Sequence, residues 1–422
     1  MPLSPATLAE LFARVTSADL ADRLRPLSPD QSPIAASLPR AATEQGRRDR
    51  AVLLSGAGHA LPSVTDDGAS YAADRVVGNI ENYLGVARVP VGLVGPLRVR
   101  GVEASGDFYV PMATTEGTLI ASYNRGAKAL SMAGGVSVAC IAERVGRAPG
   151  FRFRNMGEAA TFTEFALSRI DEMKRVAATT TAHGALVDVK VSWDADMVVL
   201  LLEFTCGEAA GQNMVTLSAD AACRHLLANA PVKPESWAID SNLSGDKKAT
   251  HLSLLSVRGK KVTAEAVVPA TLVERELRVS VTECVRFWKM FSSFGMQSGS
   301  IGVQGHYANA LCAIYLACGQ DVAAVSESAV GWTRIEPTNE GDLYISVNLP
   351  NVIVGTVGGG TGLPTQRECL DLLDCKGAGS ARKLAEICGA VALAGELSGA
   401  AALAAGGFAG AHRALGRKPL GG

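Results

Sequence analysis

"VALAGELSGAAALAAGGFAGA" occupies residues 391–411, and its reading decides what kind of fold the chain can have. The run is rich in Gly and Ala and is interrupted by Glu396. A membrane span calls for about 20 predominantly apolar residues with few or no charges. Small residues around one carboxylate instead predict a tightly packed, buried helix with the rest of a large domain built around it.

Outward from that helix, 422 residues exceed what one simple core organises and imply two or three domains. Hydrophobic residues make up 48% and charged residues 19%, so core material is ample. A formal net charge of −1 offers no general field for nucleic acid or anionic membrane, and no basic-aromatic stripe exists. Neither is expected as a partner. The nine cysteines are scattered singly, with no C-x-x-C pair and no Cys/His cluster at zinc spacing, so no metal is expected. They read as core filler in a reducing compartment. The opening "MPLSPATLAELFARVTSADLADRL" carries acids and lacks a positive n-region, so it reads as no signal peptide and the protein as cytoplasmic.

Residues 1–75 read as a small helical N-terminal region with breaks rich in Pro, Asp and Arg. From Glu81, "ENYLGVARVPVGLVGPLRVRG" reads as short β pieces. A helix follows from about Gly117. The middle reads as a unit of its own. "EAATFTEFALSRIDEMKRVA" (158–177) has helical periodicity, and "LVDVKVSW" and "MVVLLLEFTC" read as strands around a turn at Asp194–Asp196. "GEAAGQNMVTLSADAACRHLLANA" reads as a helix and "SWAIDS" as another strand. That order suits a small ferredoxin-like sandwich. From about Thr271 the text returns to Gly- and Ala-rich helical character. The expected fold is therefore α+β: a large domain over 76–148 and 239–422, interrupted by an insert over 149–238. No strand–GxGxxG–helix unit is present, and "GTVGGGTG" (355–362) leads straight into Leu363-Pro364, so a nicotinamide cofactor would bind by some other architecture.

Four polar positions stand out. Glu116 is a lone carboxylate in "PMATTEGTLIASYNRG" (111–126), Asp246-Lys247-Lys248 lie in "SNLSGDKKAT", Asp321 in "YLACGQD" and His412 in "FAGAHRALGR". Each alone has an ordinary structural explanation, such as a helix start for Glu116 or a solvated turn for the lysines. Together with "ENYLGVARVPVGLVGPL", "PTNEGDLYISVNLP", "GTVGGGTGLPTQ" and "LAGELSGAAALAAG", in that order, they closely resemble the catalytic portion of 3-hydroxy-3-methylglutaryl-coenzyme A (HMG-CoA) reductases of the eukaryotic and archaeal type. The resemblance spans about Tyr71 to Arg417.

The resemblance implies reduction of HMG-CoA to mevalonate by two hydride transfers from NADPH, or alternatively NADH. It implies Glu116, Lys247, Asp321 and His412 as the catalytic groups. The chemistry suits those residue types. An ammonium stabilises the charge that develops on a thioester carbonyl oxygen. A histidine protonates a departing thiolate near neutral pH. A carboxylic acid with a raised pKa, as in a desolvated site, donates a proton to an aldehyde. Asp321 is expected to link Glu116 and Lys247. By family position Arg147 and Lys248 meet the substrate carboxylate beside Asp246, with Lys289 a further candidate and Asn309 near Glu116. Asn124 and Arg125 match positions near coenzyme A. The cofactor segment is Glu208, Gly211, Gln212, Asn213 and Met214, a helix start that would receive the diphosphate. "ENYLG" (81–85) resembles the family's dimerisation motif, implying a homodimer or a dimer of dimers, and the membrane anchor of some members has no counterpart.

Three places depart from the family pattern. "EAAGQNM" (208–214) stands where D-A-M-G-M-N-M is usual. Asp240 stands where a serine is usual, and an extra acid would repel a substrate carboxylate. Gly410 and Ala411 replace polar residues ahead of His412. Two other functions therefore stay open: a paralogue reducing a related acyl-CoA, which Asp240 favours, and a catalytically idle ligand-binding dimer, against which retention of all four groups argues.

Overall fold

The computed structural model describes residues 4–25, 27, 44–56, 58, 62, 79–80 and 86–407. The "ENYLG" segment and His412, with Gly410 and Ala411, lie outside these residues.

The helix read from the opening run spans Ser380–Ala404 and starts eleven residues earlier than the apolar text. Its residues from Leu384 to Ala401 are buried almost without exception. Among the described residues it is the one helix long and apolar enough to cross a membrane, but 83% of its apolar stretch is buried inside the fold. Glycines permit that burial. A Cβ at Gly126 of the helix Leu119–Met132 would stand 1.9 Å from the Ala394 carbonyl oxygen, and one at Gly395 would stand 2.3 Å from the Tyr123 ring. The two helices therefore cross with backbone nearly against backbone.

The described residues form eleven strands: β1 Val91–Gly101, β2 Ser105–Ala113, β3 Val136–Arg147, β4 Gly150–Arg152, β5 Leu186–Asp194, β6 Met197–Phe204, β7 Ser236–Ala238, β8 Gly259–Val268, β9 Gly302–Val303, β10 Gly331–Pro337 and β11 Leu343–Val352. The main path runs β7-β4-β6-β3-β8-β11-β10-β9, with β1 against β2 and β3, and β5 against β6. β3 joins two regions. Its residues Ser137–Arg144 pair with β8, and its last three, Val145–Arg147, pair with β6. Arg147 therefore ends the strand at the seam.

Each side of the seam has its own core. One gathers Phe151, Phe153, Phe162, Met173 and Leu200, and the other gathers Val138, Val262, Ile345 and the Ser380–Ala404 helix. Within residues 150–238 the strands lie in the order β7-β4-β6-β5, with every neighbouring pair antiparallel. The hairpin turn falls at Ala195, in the left-handed region (φ 51°).

Two readings change. The helix expected over 158–177 breaks at Arg169 into Met156–Ser168 and Ile170–Ala178. The text after Thr271 is not helical throughout, since β9, β10 and β11 lie within it. In β11 Leu343, Ile345, Val347 and Leu349 face the core alternately with half-buried residues, the period of a strand. The small residues on either side mask that period.

Candidate functional site

The loop after β7 holds the charged residues together. Asp240 accepts from the Asn242 N–H at 2.7 Å and from the Ser244 hydroxyl at 2.8 Å, folding the loop back on itself. Arg147, only 7% exposed, bonds Asp240 at 3.0 Å and Asp246 at 3.2 Å through one terminal nitrogen. Its other terminal nitrogen donates to the Gln212 carbonyl at 3.3 Å, and its Nε is buried without a partner. Asp246 also accepts from Arg258 at 2.8 Å, and Arg258 reaches the fully buried Glu327 at 2.5 Å. Burial pushes the Glu327 carboxyl above its usual range, against the pull of Arg258. The chain of contacts returns to the loop through the Lys247 N–H, which donates to Glu327 at 2.9 Å.

Lys247 takes a left-handed backbone conformation (φ 55°), which a lysine seldom adopts without a reason in its surroundings. Its ammonium stands 2.7 Å from the Asp321 carboxylate, both side chains about two-fifths exposed (42% and 41%). Asp321 is itself oriented by the Ala323 N–H, which it caps at 3.0 Å. A pair this exposed contributes little to stability. It does hold an ammonium at an open surface. Lys248 is exposed and donates to the Asp246 carbonyl at 3.0 Å.

Glu116 corrects an expectation. It lies exposed in the turn before the helix Leu119–Met132, and among the described residues its carboxylate pairs with none, Asp321 and Lys247 included. Small neighbours do not desolvate a side chain that projects from a surface turn. Nor does it cap the helix, which has no side-chain cap. Behind it, Tyr123 is buried and its hydroxyl lies 3.3 Å from His306 Nδ1. The sequence reading missed His306, and it noted Glu396 only as a break in apolar text. Glu396, 1% exposed, accepts from the N–H groups of Gly305 and His306, both at 2.8 Å, and from the Thr333 hydroxyl at 2.7 Å. A carboxylate inside an apolar run was the available signal for that cluster.

Asn124 accepts from the Gly95 N–H at 2.9 Å, and Arg125 donates to the Ser398 carbonyl at 2.6 Å. Asn309 is half-buried on the helix Tyr307–Ala317. Lys289 is exposed on the helix Val281–Gln297, and no contact joins it to the Arg147 cluster.

The cofactor segment divides in two. Glu208 does not face the helix start beside it. Its carboxylate accepts from the Gly379 and Ala381 N–H groups at 2.6 and 2.7 Å, capping the distant Ser380–Ala404 helix. The helix Gln212–Asn229 is left with Gly211 at its start, no side-chain cap and no acid in its first turn. A Cβ at Gly211 (φ 90°) would meet Cys206 Sγ at 2.1 Å, so only glycine fits, and Gln212 Nε2 is buried without a partner. Uncapped N–H groups beside an unsatisfied amide fit an anionic group such as a diphosphate.

Fold and site together define a mixed α/β chain that carries a lysine–aspartate pair and a charge cluster at the seam between two cores, beside an open helix N-terminus. Residues 47–417 match the model of the hydroxymethylglutaryl-coenzyme A reductase family, and the chain belongs to that family. It is 43% identical over 348 residues to the 3-hydroxy-3-methylglutaryl-coenzyme A reductase of Aeropyrum pernix, covering 81% of this chain and 82% of the relative. It is 42% identical over 341 residues to that of Methanothermobacter thermautotrophicus, covering 80% and 85%. The fold is similar to that of the class II reductase of Streptococcus pneumoniae solved with NADPH, with TM-score 0.67, 19% identity, and coverage of 84% of this chain and 96% of that one.

Proposed function

We propose that this chain reduces HMG-CoA to mevalonate and free coenzyme A with NADPH. The observation that carries the reading is the Lys247–Asp321 pair at 2.7 Å, in a chain of this family. When bound, the cofactor supplies hydride. Lys247 stabilises the negative charge on the thioester carbonyl oxygen, and Asp321 keeps the ammonium aimed. His412 protonates the leaving thiolate. Glu116 donates to the aldehyde oxygen. Since it stands exposed here, its tuning falls to what closes over it: substrate and, in the homodimer we propose, the second subunit.

Arg147 and Lys248 are the cations for the acyl carboxylate, with Lys289, which stands apart from them, the weaker candidate; Asn309 lies toward Glu116, and Asn124 and Arg125 lie toward coenzyme A. Gly211, Gln212, Asn213 and Met214 would hold the cofactor diphosphate. Glu208 serves by anchoring their loop to the Ser380–Ala404 helix. The strand order β7-β4-β6-β5 and the separate core support a ferredoxin-like insert over 149–238. The buried Ser380–Ala404 helix supports a large domain over 76–148 and 239–422, with 1–75 a helical N-terminal region. A cytoplasmic location fits this reading.

Lys247→Met tests it. The variant should fold and bind HMG-CoA yet lose at least ~100-fold in kcat, the scale of removing an oxyanion donor. Near-normal turnover would remove Lys247 from the mechanism.

A further inference from the structure

Arg147 is offered above as a cation for the acyl carboxylate, yet the structure shows it already holding two acids. Asp246 is shared with Arg258, so it belongs to the permanent network. Among the described residues Asp240 has no second cation. Its Oδ2 lies 3.0 Å from Arg147 and its side chain is 21% exposed. Asp246 is 26% exposed, so both acids reach Arg147 from partly open positions, but only Asp240 depends on Arg147 alone for its cation.

Charge balance supports the same point. Arg147, Arg258 and Lys247 pair with Asp240, Asp246, Asp321 and Glu327, and Lys248 stands beside them on the Asp246 backbone carbonyl. Four cations already match four carboxylates, so an incoming carboxylate makes the cluster net anionic. Meanwhile Arg147 Nε, buried and without a partner, shows that this guanidinium has donor capacity its neighbours do not use.

Resting on the function proposed above, we propose that Asp240 is a specificity-determining residue that competes with the substrate's carboxylate for Arg147. It weakens the binding of acyl-CoA thioesters that carry a terminal carboxylate and leaves those without one unaffected. Its hydrogen bonds from the Asn242 N–H and the Ser244 hydroxyl hold it in place when Arg147 turns to the substrate. The competition is local, because of the two acids on Arg147 only Asp246 has a second cation, Arg258.

The test is calorimetric binding of HMG-CoA and of acetyl-CoA, without cofactor, to the wild-type protein, Asp240→Asn and Asp240→Glu. Asn keeps the shape and acceptor oxygen, whereas Glu keeps the charge. Asp240→Asn should bind HMG-CoA at least ~10-fold more tightly, the lower end for one charge-assisted contact. Acetyl-CoA affinity should stay within about twofold of the wild-type value in both variants, well inside the effect of one such contact. Asp240→Glu should retain the weak binding of HMG-CoA. Unchanged or weaker HMG-CoA binding in a folded Asp240→Asn protein overturns the proposal, as does an equal gain for both ligands. If Asp240→Asn does not fold, Asp240→Ser takes its place with the same expected outcome. Reduction of HMG-CoA by the wild-type protein is assayed separately. Turnover with unchanged affinities defeats only the role of Asp240. Selective tightening without turnover in any variant defeats only the reaction.

Discussion

Gly126→Ala should destabilise the protein far more than one methyl group suggests. The added Cβ would lie 1.9 Å from the Ala394 carbonyl oxygen and 2.7 Å from the carbonyl carbon. Ordinary non-bonded contacts sit near 3.5 Å, so the helices Leu119–Met132 and Ser380–Ala404 must part by about 1.5 Å. A gap of even ~1 Å forfeits up to about half of each dispersion contact along the crossing. Overpacking of this kind costs about 3 kcal/mol. Alanine returns about 1 kcal/mol through its better helix propensity. The net loss is then about 2 kcal/mol, a fall of about 2–4 °C in Tm. Gly295→Ala is the control. It lies in the helix Val281–Gln297 with nothing within 4 Å of its added Cβ, so propensity alone acts and stability should rise by up to ~1 kcal/mol. Thermal unfolding of both variants in one buffer gives the answer. Shifts of the same sign would show that the two helices do not cross at this distance. That would also undo the placement of Tyr123, Asn124 and Arg125, which the crossing sets.

Three further outcomes are expected. His412→Gln should slow thioester reduction more than reduction of added mevaldehyde, because only the first expels a thiolate; equal loss on both would assign His412 another role. Burial lifts the Glu386 carboxyl to about 7, above its unfolded value of 4.5, although three backbone N–H groups point at it. The folded state therefore holds that proton more tightly, and its contribution to stability is full below about pH 4.5 and lost as pH rises toward 7, by about 3 kcal/mol. Glu386→Gln should flatten that stretch of a pH–Tm curve, and an unaltered slope would refute the assignment. Selectivity for NADPH over NADH should be below ~100-fold, because no Lys or Arg lies between Trp193 and Met214 to meet a 2′-phosphate. A larger ratio of kcat/KM values would point to a cation from another element, Lys174 or Arg175 on the helix Ile170–Ala178 being the ones at hand.

Much of this protein was legible before any fold was known, and the reason is that the information was local. Period-2 text with a turn at Asp194–Asp196 announced β5 and β6, and the apolar run around Glu396 announced the buried helix. The motifs holding Glu116, Lys247 and Asp321 were visible because each is a short contiguous string. Charge pairing is different in kind, because it has no period along the chain. Arg147 meets Asp240 and Asp246 across 93 and 99 residues, and Arg258 meets Glu327 across 69. Glu208 caps a helix that begins more than 170 residues later. Exposure is equally non-local: Glu116 sits in small, uncharged text but projects from a turn that no described element covers. The sequence alone determined which elements form and which chemical groups are available. Only the tertiary structure decided which carboxylate neutralises which cation, because a buried charge selects its partner by distance and desolvation, and both are set when remote segments pack.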